Sequence, residues 1–236
     1  MRARPTARGA IVAIEGPSAS GKTTATRFAA RALGGVVLPE AYRRLRPIPS
    51  LEIRSVRSLL GLERRLLGEE ARRFAEARTA AHRGRIVLTD TGFFGPIIYS
   101  RALVSLGLAP ASILGPLDRT ARALLRDRRW GVPDLTIYLD TDERTRRRRI
   151  AADPRGHPPA LAARHEAAGR FERQDFERWI APTLGARYRL VNGGGRREEV
   201  TRRVCRAVAA RVPRPAPRGL AAELLSLLVQ APPPAA

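Results

Sequence analysis

The residues best suited to chemistry form one short run, Gly16-Pro17-Ser18-Ala19-Ser20-Gly21-Lys22-Thr23, spaced as G-x-x-x-x-G-K-[ST]. Each residue type answers a need of a polyphosphate. Glycines let the chain curl until successive backbone N–H groups point at one centre, and a helix starting after the loop adds its positive dipole end. Lys22 has the reach and charge for the β- and γ-phosphates of ATP, and the Thr23 hydroxyl is a ligand for Mg2+. Ser18, Ala19, Ser20 and Thr24 complete the cradle with Gly16 and Gly21. A glycine-rich turn before an ordinary helix would show the same glycines. The lysine argues against that, because the chain has 44 basic residues and every other one is arginine.

Such a loop works only between a strand and a helix, and the flanking sequence supplies both. Residues 10–14 are a continuous apolar run, as expected of a central strand covered on both faces, and residues 23–33 read as a helix stopped by Gly34-Gly35. Further strand-like runs fall at 36–38, 86–89, 135–139 and 188–191. Helical patterns separate them, notably over 62–82 and 161–179. Strands alternating with helices predict an α/β domain with a parallel sheet. Glu40 and Asp90 then follow the second and third strands at the C-terminal edge, where ligand crevices open in such sheets. Glu40 is a candidate to contact or deprotonate an acceptor hydroxyl; the alternative is a loop carboxylate paired with Arg43 or Arg44. Asp90 is a candidate to hold Mg2+ or the acceptor; the alternative is a helix N-cap.

Composition bounds the remainder. The chain has 236 residues, 44% of them hydrophobic, and one cysteine, Cys205, which excludes an internal disulfide and fits a reducing cytoplasm. No apolar run is long enough for a membrane helix, and the first residues lack a secretory h-region. A formal charge of +22 suggests affinity for polyanions. Yet the arginines are spread over most segments and aromatics are only 5%, which argues against nucleic acid as the main partner. Residues 1–9 read as a disordered basic arm, 10–211 as the catalytic domain, and 212–236 as a Pro-rich linker with a short helix over 220–229 lying outside the core. A homodimer stays open.

The run Ile11-Val-Ala-Ile-Glu15-Gly-Pro-Ser-Ala-Ser-Gly-Lys-Thr-Thr24 resembles the first strand and loop of the P-loop nucleoside and nucleotide kinases, including thymidylate, deoxynucleoside and nicotinamide riboside kinases. Val37-Leu-Pro-Glu40-Ala-Tyr42, Thr89-Asp90-Thr91-Gly92 and Pro133-Asp-Leu-Thr-Ile-Tyr-Leu-Asp140 are similar to their later strand ends. The resemblance implies a P-loop NTPase fold: a five-stranded parallel sheet of order 2-3-1-4-5, helices on both faces and an arginine-bearing lid near 149–165. It also implies phosphoryl transfer from ATP with Mg2+ to a nucleoside or nucleoside monophosphate. Another hydroxyl compound as acceptor, or a regulatory NTPase, are the alternatives. By the same resemblance Arg149 and Arg155 close on the transferred phosphate, with Arg164 and Arg170 less well matched, and Asn192 borders the adenine. The solvated-surface role is the alternative for each arginine, and an ordinary flexible loop is the alternative for Asn192. Asp90 is followed by Thr91 where thymidylate kinases carry Arg, which leaves the acceptor undetermined. Trp130, Trp179 and Cys205 read as core, and His82, His157 and His165 lack metal-ligand spacing.

Overall fold

A computed structural model describes residues 9–50, 52–152, 159–210, 216–217 and 219–234. Arg155, His157, most of the 1–9 arm and most of the Pro-rich linker lie outside the described residues. Five strands, β1 (Ala10–Glu15), β2 (Val36–Leu38), β3 (Ile86–Asp90), β4 (Leu135–Asp140) and β5 (Tyr188–Asn192), form one parallel sheet in the order β2-β3-β1-β4-β5. All six residues of β1 are buried, as the unbroken apolar run predicts for a strand with neighbours on both sides and helices on both faces.

Alternation along the strands divides the core. Val12 and Ile14 of β1 point to a layer with Ala25 and Ala29 of α1 (Lys22–Leu33) and Val200, Val204 and Val208 of α9 (Arg197–Ala209). Cys205 packs at the edge of this layer. Ile11 and Val87 point to the opposite, larger layer. That layer contains α3 (Val56–His82), α4 (Gly95–Ser105) and α5 (Leu114–Arg126), and Trp130 is buried there, its indole N–H donating to Phe93 O at 3.1 Å. The short α2 (Ala41–Arg44) leans on α3, and α6 (Glu143–Ala151) and α7 (Pro159–Asp175) follow β4.

Three boundaries differ from the sequence reading. α3 starts six residues earlier than the predicted 62, because Ser55 and Ser58 form a reciprocal cap that holds its first turn. α7 does not continue as a regular helix to 179: it widens into a π turn at Phe176–Ile180, then a short α8 (Ala181–Leu184) carrying Pro182. Proline cannot donate to the helical ladder, and the wider turn accommodates that loss while Phe176 and Ile180 both bury.

The third difference is a correction. The tail does not lie outside the core: α10 (Leu220–Gln230) buries Ala221, Leu224, Leu225 and Leu228 against α5 and the π turn. Its end is held by Arg101 of α4, fully buried, whose guanidinium donates to Leu228 O and, at 2.9 Å, to Ala231 O. The same guanidinium pairs with Asp175 at 2.8 and 2.9 Å. A proline-rich connection marks where a helix stops, but the apolar stripe on the next helix decides whether it docks.

Among the described residues no helix is long and apolar enough to cross a membrane.

Candidate active site

The loop leaves β1 at Gly16, whose φ is +137° and whose absent Cβ would stand 2.7 Å from Leu139 O, so only glycine fits the turn. Lys22 opens α1 and folds back, its Nζ donating to Gly16 O at 2.6 Å and Pro17 O at 3.0 Å. The next three carbonyls are held from α6. Arg146 Nε donates to Ser18 O at 2.9 Å, and Arg149 Nη1 donates to Ala19 O at 3.2 Å and Ser20 O at 2.8 Å. Engaging the carbonyls this way keeps the concave side of the loop for backbone N–H donors. Arg149 also reaches Gly193 O at 3.1 Å, joining the loop to the end of β5.

Arg146 is a site residue that the sequence reading missed, since it assigned most arginines of residues 143–150 to solvent. The side chain is 5% exposed and its Nη2 has no hydrogen-bond partner. The signal was the i, i+3 spacing of Arg146 and Arg149, which puts both on one helix face. Asp142 caps α6 by accepting from Thr145 N at 2.8 Å, and this fixes which face meets the loop. A Cβ at Gly169 would lie 2.7 Å from Arg146 Nη2, so α7 approaches closely enough to close that space only as glycine.

Thr23 and Asp90 come together from distant parts of the chain. The Thr23 hydroxyl donates to Asp90 Oδ2 at 2.6 Å, and Asp90 is buried rather than serving as a helix cap. A second missed residue, Arg73 of α3, holds that strand end. Fully buried, it pairs with Glu70, donates to Asp90 O at 2.9 Å and Thr91 O at 3.2 Å, and lies over the Phe93 ring. Burial pushes the Glu70 carboxyl up to about 7 despite the arginine beside it. Glu15 accepts from Gly92 N at 2.7 Å and, by burial, is raised to about 8. A Cβ on Gly92 would meet Glu15 Oε1 at 2.1 Å, so a larger residue after Asp90-Thr91 would have to push that carboxyl aside.

These groups border a cavity of about 1120 Å³ between the phosphate loop, α3, α4 and α7. Gly16, Ser18, Ala19, Gly21, Lys22, Thr23 and Thr24 line its loop side, together with Asp90 and Arg149. Ser20 is buried beneath the loop. Glu40 lines the wall opposite, with Arg43 Nε 3.8 Å away, so both roles considered for it meet at one position. Its carboxyl is raised above the usual range, first by desolvation in the cavity wall and against the pull of Lys22. Arg44 instead pairs with Glu69 and Glu76 outside the cavity. Asn192 ends β5 and turns its Oδ1 to Gly194 N at 2.7 Å, away from the cavity lining. Arg170 is exposed and outside the site, Arg164 bonds Tyr99, and His165 lines the cavity.

A family model described as an AAA domain matches residues 11–170. Solved structures of a deoxyadenosine kinase from M. mycoides share the fold. The one with bound dATP superposes with a TM-score of 0.68 at 14% identity, covering 84% of this chain and 99% of that one. The one with bound dCTP gives 0.57 at 14% identity, covering 85% and 100%. A curated tRNA dimethylallyltransferase of Sorangium cellulosum (strain So ce56) is 37% identical over 133 residues, 50% of this chain and 40% of that relative. The match thus spans about two fifths of the relative's length.

Proposed function

The chain belongs to the AAA domain family, and from that premise we propose that it is an ATP-dependent phosphotransferase acting on the hydroxyl of a nucleoside or nucleoside monophosphate. The observation that carries this reading is the Thr23–Asp90 contact, which brings the end of the phosphate loop to the mouth of a deep cavity walled by carboxylates. The same cavity extends past the phosphate loop to α3, α4 and α7, room for which a nucleotide hydrolase has no need. A kinase does, because the acceptor oxygen must stand in line with the transferred group and away from water.

In this reading Lys22 and the loop N–H groups hold the β- and γ-phosphates, while Arg146 and Arg149 set loop shape and add positive charge where negative charge develops. The Thr23 hydroxyl and the Asp90 carboxylate are hard oxygen donors at one point, which suits Mg2+; bound there, the ion would neutralise phosphate charge. Glu40 faces the acceptor and takes its proton, a task for which a raised carboxyl is better matched than an ordinary one. Glu15 and Arg73 act through position, by fixing the β3 end that carries Asp90.

A second reading, group transfer to tRNA, is favoured by the tRNA dimethylallyltransferase relative and by the charge of +22. Transfer of labelled γ-phosphate from ATP to a panel of nucleosides, nucleoside monophosphates and hydroxylated antibiotics tests the first. Labelled product with any nucleoside or monophosphate supports it. ATP hydrolysis without transfer, or steeply salt-dependent tRNA binding in its place, overturns it.

A further inference from the structure

The cavity wall contains a carboxyl group that the phosphotransfer reading does not use. Glu63 of α3 lines the cavity, is 1% exposed, and its Oε2 has no hydrogen-bond partner. Burial raises it, to about 8. The other acidic groups around the cavity differ. Glu15 is fixed by Gly92 N, Glu70 by Arg73, and Glu172 feels Lys22 and Arg146. The arginines nearest in sequence, Arg64 and Arg65, are both exposed; Arg65 lines the same cavity and Arg64 does not.

Lys22, Glu172 and Tyr99 line the same cavity as Glu63, and Arg164 bonds Tyr99. An acceptor whose hydroxyl lies at Lys22 occupies the cavity that Glu63 also lines. An isolated buried carboxyl is costly unless something pairs with it, and a bound cation repays that cost by charge and by hydrogen bonding together. We propose that Glu63 is an acceptor-binding residue that pairs with a basic nitrogen, and that the acceptor is a hydroxyl compound carrying a protonated amine. This rests on the phosphotransfer reading for the position of the hydroxyl, and goes beyond it in naming the chemistry at the other end.

The test is calorimetric binding of two matched pairs to the full chain with an unhydrolysable ATP analogue present. The pairs are 3′-amino-3′-deoxyadenosine against adenosine, and 2-deoxystreptamine against its N,N′-diacetyl form. The wild-type chain is expected to bind at least one amine about tenfold or more tightly than its neutral partner, and Glu63→Gln to reduce that preference to within about threefold. Thermal melting of Glu63→Gln guards against a folding artefact, and the neutral isostere should melt no lower than wild type. Equal or weaker binding of both amines, no binding of any probe, or a preference that survives in Glu63→Gln overturns the proposal. Labelled-phosphate transfer on the same probes separates the two readings. Amine-selective binding without transfer removes the kinase reading and keeps the subsite; transfer to the neutral members without amine preference does the reverse.

Discussion

The two sides of the cavity are built on different principles. The phosphate side is a contiguous stretch of sequence whose carbonyls from Gly16 to Ser20 all accept hydrogen bonds, so its shape is held by backbone and by three cationic side chains. The side proposed for the acceptor is assembled from α2 and the segment after it, α3, α4 and α7, and among its polar groups Glu40, Glu63 and Glu172 are carboxylates pushed up by burial. A polyphosphate has one shape, which a fixed loop can meet. An acceptor is recognised by side chains from several elements, so that wall depends on how those helices are clamped together. Arg101 is the clamp, joining α4 to Asp175 at the end of α7 and to carbonyls in and just after the last turn of α10.

If the acceptor wall depends on tertiary clamping, loss of the clamp should rank among the largest effects, and Arg101→Met removes it. It leaves Asp175 buried without its partner, and a loss of about 3–5 kcal/mol in denaturant unfolding is expected. Ending the chain at residue 218 should also lower stability, because three buried leucines of α10 are removed at roughly 1.5–3 kcal/mol each. Unchanged midpoints in both variants would mean that the tail is an ornament and the wall stands alone.

The phosphate side is expected to break by chemistry and leave the fold intact. Lys22→Ala should lower phosphoryl transfer by ~10²-fold or more with an unaltered thermal melt, since it removes a charge aimed at the transferring group. A folded variant with wild-type kcat would remove Lys22 from the site.

Glu40 tests the boundary between the sides. Glu40→Gln should reduce kcat by ~10²-fold while leaving ATP affinity nearly constant. Because the carboxyl is raised, the acidic limb of the wild-type pH–rate profile should lie above the ordinary glutamate range near 4.5, with activity lost as pH falls through it. That limb should be missing from the variant. A limb at the ordinary value, or one retained in Glu40→Gln, would assign the proton to another group.

The expected effect that is smallest at any one pH step is on stability against pH. Glu63 has its folded-state value near 8, above the unfolded value near 4.5, so its contribution is complete below about 4.5 and is lost as pH rises through about 8. Urea unfolding across that window should show stability falling by at most about 1.4 kcal/mol per pH unit for this group. In Glu63→Gln the slope should be shallower. Identical slopes would show that the carboxyl is already solvated.

What could be read from the chain alone follows from what is local. The phosphate loop, the strand before it and the helix after it are adjacent in sequence, and a parallel sheet announces itself by apolar runs alternating with helical periods. The order β2-β3-β1-β4-β5 came from family resemblance and is the order observed. The sequence placed Glu40 and Asp90 at strand ends, and the structure puts both at the cavity. Side-chain partnerships between distant segments were not legible. Arg73, Arg101 and Glu63 sit among dozens of similar charges with nothing in their immediate neighbours to mark them as buried, and for Arg146 the one local signal was its i, i+3 spacing from Arg149. Their roles were decided by the packing of α3, α4, α6, α7 and α10, because burial in a low-dielectric interior turns an ordinary surface charge into a clamp or an unpaired carboxyl.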